Sequence, residues 1–451
     1  MYQEPKALPY VLKDPSSIYS YAKNLENKTL REITNLKSLK DIRNKKDKGS
    51  FGTLLEEYYF KYKANSDRNA DFVDAGLELK STPLKRTSKG LRAKERLLFS
   101  IINYMDIIAE NWDNSSFLKK NKLILLIFYL FEENKEILDY LIKYVSKWSI
   151  LDNDAEIIKR DWETIVKKIR DGKAHEISEA DTFYLAACTK GAGKGRDLRS
   201  QPNSDIKAKQ RAFSFKPKYV NLMIEKISGN YDEDVQDVVS VQDLRKKDFS
   251  DIIEDRLKHF QGKTFKEICK ELGTDSDFGG KSKYALLAAQ MLGAKKGRKV
   301  AEFEKAEIEV KSIRLNKKGT PKESMSFPYF GYKKLIQDDW DDSLIREQFE
   351  KKFFFMIFQE DENKVLRFKK GMFYNLPYSD LIEVQRLWNQ VRNGIKNGIY
   401  GNTPQDENRV SHIRPHGKDS HDTIETPSGT KEVKRCFWLN ASYLKNVIEN
   451  G

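Results

Sequence analysis

Asp71, Glu78 and Lys80 form the pattern Asp-x6-Glu-x-Lys, and those residue types at that spacing can do hydrolytic chemistry. From Gly76 onward the residues alternate, with Leu77 and Leu79 on one side of an expected strand and Glu78 and Lys80 on the other. The turn residues Asp74, Ala75 and Gly76 let the Asp71 carboxylate swing back towards Glu78. Two acids and one lysine converging at a strand end suit metal-assisted phosphodiester hydrolysis. The carboxylates hold a hard divalent cation such as Mg2+, which keeps waters for attack. The lysine orients the nucleophile and offsets phosphate charge. In a chain so rich in charge, this spacing also arises by chance in roughly one such sequence in five, as a solvated strand face. The surrounding elements have to decide.

The bulk properties narrow the partner. The chain has 451 residues, enough for two or three domains, and carries 82 Lys+Arg against 68 Asp+Glu for a net charge of +14. Such a basic surface predicts a polyanionic partner, nucleic acid ahead of membrane. A hydrophobic share of 39% and an aromatic share of 12% argue for a folded enzyme rather than a basic tail. Cys188, Cys269 and Cys436 are far apart and form no CxxC, which speaks against a disulfide framework and a zinc site. The most apolar run, Leu123 to Phe131, is too short to span a bilayer and reads as a fully buried strand. With no signal peptide in view, the expected compartment is the cytoplasm.

In chain order, Ile18 to Asn27 reads as an amphipathic helix. Lys28 to Ile33 starts another, with Thr29 as cap and Glu32 three residues on. A basic glycine turn from Lys48 to Gly52 opens a helix bearing Leu54, Leu55 and Glu56. A helical insertion is expected over about Glu132 to Gly172. A glycine-rich basic loop follows, Thr189 to Arg196, and then the acidic stretch Asn230 to Asp243, which reads as a linker.

Beyond that stretch the chain repeats itself in order. Lys28-Thr-Leu-Arg-Glu-Ile33 returns as Lys263-Thr-Phe-Lys-Glu-Ile268, and Asp71 to Ser81 return as Glu302 to Ser312. Lys94, Glu95, Phe99, Tyr104 and Trp112 return as Lys322, Glu323, Phe327, Tyr332 and Trp340. Leu123 to Phe128 match Phe353 to Phe358, Trp162 matches Trp388, and Arg211-x-Phe213 matches Arg435-x-Phe437. The expected organisation is therefore two similar domains, 1–225 and 246–451, joined by a linker over 226–245. Where the first copy has Glu56, the second has Ala289 or a small neighbour, and Glu302 replaces Asp71. One copy should cut and the other should bind.

These residues resemble a known family. Gly52-x-Leu54-Leu55-Glu56, Asp71-Phe72 and Gly76-Leu-Glu78-Leu-Lys80 are similar to the mismatch-repair nuclease MutH and to the GATC-cutting type II restriction endonucleases of the Sau type. The likeness continues through Glu95, Trp112-x7-Lys120, Lys190-Gly191-Ala192 and Phe213 to Tyr219, and returns as Ile413-Arg414-Pro415 and Phe437 to Tyr443. The doubling resembles the restriction enzymes more than the repair nuclease. The resemblance implies two tandem α/β domains of the restriction-endonuclease-like PD-(D/E)xK type, each a mixed sheet flanked by helices with a DNA-binding cleft. It implies a Mg2+ site made by Glu56, Asp71 and Glu78, with Lys80 and Lys120 as catalytic lysines. It also implies DNA contacts from Lys48, Lys190, Gly191, Ala192, Lys194, Arg196, Arg211, Arg414, Pro415 and His416. The family's Arg-Pro is Cys188-Thr189 in the first copy and survives as Arg414-Pro415 in the second, leaving Lys190 and Arg196 as readers of guanine in the first.

The expected activity is Mg2+-dependent cleavage of double-stranded DNA at GATC, leaving 5′-phosphate ends. The second domain is expected to bind a further site, promoting dimerisation and looping. No membrane partner is expected, and the loop is no Walker A, so no nucleotide cofactor is either. A methyl-directed nicking nuclease and a non-catalytic GATC-binding regulator are the competing readings. His412, His416 and His421 are separated by Pro415 and Gly417, which denies them a shared helix face for zinc.

Overall fold

The structure, a computed structural model, describes residues 8–34, 36–38, 51–62, 69–151, 154–191, 197–230, 234–274 and 283–450. The chain divides into two compact units, one of Met1–Ile177 with Thr182–Glu233, the other of Ser178–Asp181 with Asp234–Gly451.

The first unit is built on a mixed sheet. Strand β1 (Leu77–Thr87) turns back antiparallel into β2 (Gly90–Ala93). After the short β3 (Leu98–Ile101) the chain returns as β4 (Leu123–Leu130), which runs parallel to β1, and β5 (Leu141–Ser149) adds antiparallel on its far side. The order is β2-β1-β4-β5. Strand β4 is the run expected to be buried, and Ile124 to Phe128 are fully so. Leu125 and Ile127 pack with Leu77, Leu79, Phe60 and Phe72 and with residues of the helix Pro15–Lys23. A second sheet places β9 (Arg211–Phe215) between β3 and β6 (Leu185–Thr189), and β7 (Leu198–Gln201) pairs with β8 (Ser204–Lys209).

The insertion expected to be helical from Glu132 to Gly172 is not helical throughout. Its first half forms β5, because Leu141, Ile142, Val145 and Trp148 gain more by extending beside β4 than by helical spacing. The helix begins only at Ala155 and runs to Arg170, burying Ile158, Trp162 and Ile165.

The second unit repeats this plan. After β10 (Val235–Gln236) and β11 (Lys299–Val300), which pair with each other, β12 (Glu309–Leu315) runs parallel to β14 (Phe353–Glu360), and β14 is antiparallel to β15 (Leu366–Tyr374). Strand β19 (Arg435–Leu439) lies between β13 (Met325–Ser326) and β16 (Ser411–Pro415), and β17 (Thr423–Glu425) pairs with β18 (Lys431–Val433). Details repeat as well. Thr29 and Glu32 form a capping box at one helix start, Thr264 and Glu267 the same box at another. Trp112 meets Trp162 at 6.0 Å between ring centroids, and Trp340 meets Trp388 at 5.6 Å.

The acidic stretch read as a linker is folded for most of its described length. Val235 and Leu244 are buried, Val241–Lys246 is helical, and the buried Glu302 carboxylate accepts from the backbone N–H of Val238 and Val239. Asp234 and Asp237 are exposed while Val235 and Leu244 are buried, an inside and outside that a count of charges does not show.

Candidate active site

The acid site is assembled at the start of β1. The helix Phe51–Leu54 widens into a π turn over Leu55–Tyr59, and this turn carries Glu56. Such wide turns recur at functional sites. Asp71 precedes a single 3-10 turn, Val73–Ala75, which Gly76 closes in the left-handed region at φ 59°. That reversal sets Phe72 across from Leu77 and turns Asp71 back onto the strand. The Asp71 N–H donates to Glu78 Oε2 at 3.1 Å, and Asp71 Oδ2 accepts from the Leu79 N–H at 2.9 Å. The two acids are thus fixed through the backbone.

Glu78 is not on a solvated strand face: 1% of its side chain is exposed. Two lysines reach it. Lys80, two residues along the strand, places Nζ 2.6 Å from Oε1. Lys120 comes from the helix Ser116–Asn121, whose Ser115 cap accepts from the Leu118 N–H, and its Nζ lies 3.7 Å from the same oxygen. Burial pushes the Glu78 carboxyl up to about 7, with Asp71 adding repulsion and Lys80 and Lys120 opposing. Burial also pushes Glu56 up to about 7, with Asp71 and Glu78 raising it further. Carboxyls raised by desolvation and by one another are charge-frustrated and call for a cation.

Among the described residues, no group of three or more His, Cys, Asp or Glu side chains stands close enough to hold a metal ion. The donor set nevertheless fits a hard cation of the Mg2+ kind. Such an ion needs one or two carboxylates, with waters and substrate oxygens completing its shell. Asp71 and Glu78 supply those two, and Glu56 stands near enough to feel the charge of both. Sequence reasoning missed Tyr62, whose hydroxyl is buried within reach of the charge of these acids with no hydrogen-bond partner among the described residues. Its only signal in the sequence is its position six residues after Glu56.

The residues expected at the DNA fare unevenly. Lys48, Ala192, Lys194 and Arg196 lie outside the described residues. Lys190 is exposed after β6, its N–H held by the Gln210 carbonyl at 2.8 Å. Gly191 has φ 146°, and a Cβ there would come within 2.5 Å of the Asp197 Cβ, so the loop needs a glycine at this point. Arg211 is a correction. It is 4% exposed, and its guanidinium donates to the carbonyls of Ala187 (2.6 Å) and Ile177. Held inside by these two carbonyls through its terminal nitrogens, the guanidinium ties β9 to its neighbours and does not reach the surface. In the second unit Arg414 and Pro415 end β16, and the Arg414 guanidinium lies 3.7 Å from the centroid of the Trp438 ring. His416 meets the same ring edge-on at 5.2 Å.

The second unit's counterpart of the acid site is differently built. Glu309 and Lys311 keep their ion pair at 2.7 Å, but 43% of the Glu309 side chain is exposed. Glu302 is committed to the backbone of Val238 and Val239. Ala288 and Ala289, the small residues expected opposite Glu56, are buried methyl groups on the helix Lys283–Met291.

A fold of tandem mixed sheets with a buried acid–lysine cluster at the edge of one defines a nuclease class, and comparison with known proteins agrees. The family of the DNA mismatch repair enzyme MutH matches residues 60–161 and again 292–385. The type II restriction enzyme Sau3AI of Staphylococcus aureus is 32% identical over 96% of this chain and 98% of its own. The mismatch repair protein MutH of Vibrio campbellii is 27% identical over 40% of this chain and 80% of its own, and that of Shewanella amazonensis 31% over 30% and 58%. The chain belongs to the family of type II restriction enzymes with tandem MutH-like domains, and is a site-specific deoxyribonuclease. Nucleases of this family are generally metal-dependent and act on DNA. No helix among the described residues is long and apolar enough to cross a membrane.

Proposed function

We propose that this protein cuts both strands of DNA at GATC with Mg2+, using the acid site of its first unit, and works in the cytoplasm. The observation that carries the reading is the buried Glu78, joined to Asp71 through two backbone N–H groups and met by two lysines. Asp71 and Glu78 would hold the cation and Glu56 would support it from the next turn. When bound there, Mg2+ supplies Lewis acidity and a water activated for attack. Lys80 would orient the attacking water in line with the scissile bond, whose cleavage leaves a 5′-phosphate and a 3′-hydroxyl. Lys120 offsets charge on the phosphate. The basic loop at Lys190 and Gly191 contacts the site's bases or backbone.

Among the described residues one chain has one complete acid site, and a palindrome needs two cuts. Two chains therefore act together on the DNA, and the second unit, through Arg414, Pro415 and His416, holds a further GATC copy and promotes pairing with looping. A plasmid carrying several GATC sites, incubated with protein and Mg2+, should give a ladder of GATC-spaced fragments. EDTA or Asp71→Ala should erase the ladder, and binding without cutting would refute the catalytic assignment. Arg414→Ala should slow cutting of a two-site plasmid while leaving the metal site intact. Equal wild-type rates on one-site and two-site plasmids would count against the role of the second unit.

The likeness to MutH favours one other reading, strand-nicking at a methylation-marked site. Nicked circles without linear product from hemimethylated plasmid would support it.

A further inference from the structure

Tyr62 belongs to neither the Asp-x6-Glu-x-Lys pattern nor the residues that carry the family resemblance, yet it stands at the acid site. Its backbone N–H donates to the Glu56 carbonyl at 3.0 Å, which ties it to the turn bearing that acid. Lys61 before it has φ 63°, and this left-handed residue swings the chain round after the π turn. The Tyr62 ring meets Phe72 edge-on, with centroids 5.1 Å apart and planes at 72°, and Phe72 adjoins Asp71. The side chain is therefore clamped between the two segments that deliver Glu56 and Asp71.

The hydroxyl is buried and has no hydrogen-bond partner among the described residues. A phenylalanine would fill the same space without the cost of an unpaired buried donor. Burial first, then the charges of Asp71, Glu56 and Glu78, hold the phenol well above the usual tyrosine range, so it keeps its proton. A protonated donor close enough to three acids to feel their charge, and without a hydrogen-bond partner among the described residues, has one to gain from a carboxylate.

We propose that the Tyr62 hydroxyl is a positioning donor for the acid site, hydrogen-bonding to the carboxylate cluster in its cation-loaded arrangement and so setting how tightly the site holds a divalent cation. The proposal rests on the reading of this site as the metal site. Tyr62 is thus a positioning residue rather than a catalytic one. It acts through the acids.

The test is Tyr62→Phe in the full-length chain, with Mn2+ titrated calorimetrically in the absence of DNA. The variant keeps the ring and its contact with Phe72. The dissociation constant for Mn2+ should rise roughly tenfold, as when an outer partner of a metal ligand is removed. The Mg2+ concentration that half-saturates cleavage should rise by a similar factor, with the rate at saturating Mg2+ little changed. The Tm of the metal-free variant should stay level or rise, because an unpaired donor has been removed. An unchanged Mn2+ affinity would reduce Tyr62 to packing and sink the proposal. So would a lower Tm, since the hydroxyl would then already have a partner. Wild-type Mn2+ binding that survives Asp71→Ala would instead overturn the metal-site reading on which the proposal stands.

Discussion

Glu78 and Glu309 occupy the same place in two copies of one strand, each two residues before a lysine that it pairs with at 2.6 or 2.7 Å. Their surroundings are opposite. Glu78 is sealed under the first unit's sheet with 1% of its side chain exposed, whereas Glu309 is 43% exposed and shared with Lys351 at 3.9 Å. The other acid of each copy diverges as sharply. Asp71 turns back onto β1, while Glu302 caps the backbone at Val238 and Val239. A carboxylate in water is merely a solvated charge. The same group desolvated beside another acid is driven towards protonation or a cation. Burial separates a site able to do chemistry from a surface ion pair written in the same letters.

That contrast can be broken by experiment, most severely at the acids. Asp71→Ala should lower DNA cleavage by roughly a thousandfold with GATC binding retained, while Glu309→Ala should change it little. Comparable losses from both would mean that the second site is also at work. The lysines come next. Lys80→Ala should slow cleavage by roughly a hundredfold at saturating Mg2+, and Lys311→Ala should not, as rates on a short duplex would show.

Stability should respond the other way round. Glu302→Ala strands two half-buried backbone donors and should cost about 1 kcal/mol, seen as a lower urea midpoint for the second unit with the metal site untouched. The smallest effect concerns pH. Glu78 titrates at about 7 in the folded chain, above its ordinary 4.5, so the folded state binds that proton more tightly. The associated stabilisation is present at low pH and is lost as pH rises through about 7. Glu78→Gln should therefore raise the Tm of the metal-free protein by a few degrees at pH 8 and hardly at pH 5. Glu309→Gln, on an exposed pair, should move it at neither. A shift for Glu309→Gln equal to that for Glu78→Gln would erase the distinction drawn here.

Much of the site was legible because local patterns carried it. The alternation from Leu77 to Lys80, the turn at Gly76 and the helix with Leu54, Leu55 and Glu56 each belong to one short stretch, and each formed where its pattern placed it. Lys120 was reached only through the family likeness, since nothing local relates a helix end at 120 to a strand start at 78. Arg211 was misjudged because a basic residue in a basic chain reads as a surface charge. Only its neighbours reveal the carbonyls that hold it inside. Strand β5 was missed for a related reason: its residues alternate weakly, and pairing with β4 decided their conformation.

The sequence by itself determined the motif, the duplicated order of elements, both capping boxes and the buried character of the middle of the run from Leu123 to Phe131, since each depends on residues close together in the chain. It also determined which copy lost Glu56 and Asp71. The tertiary structure alone decided what the remaining charges are worth. It set the register that lays Glu78 beside Ile124 but Glu309 beside Phe353, a one-residue difference from the match of Leu123 with Phe353. It buried one glutamate and exposed the other, brought Lys120 to Glu78, and set the Tyr62 hydroxyl within reach of the charge of the acids without a partner among the described residues. Those outcomes depend on long-range packing and on the dielectric around each group, and neither is encoded in the spacing of residues along a strand.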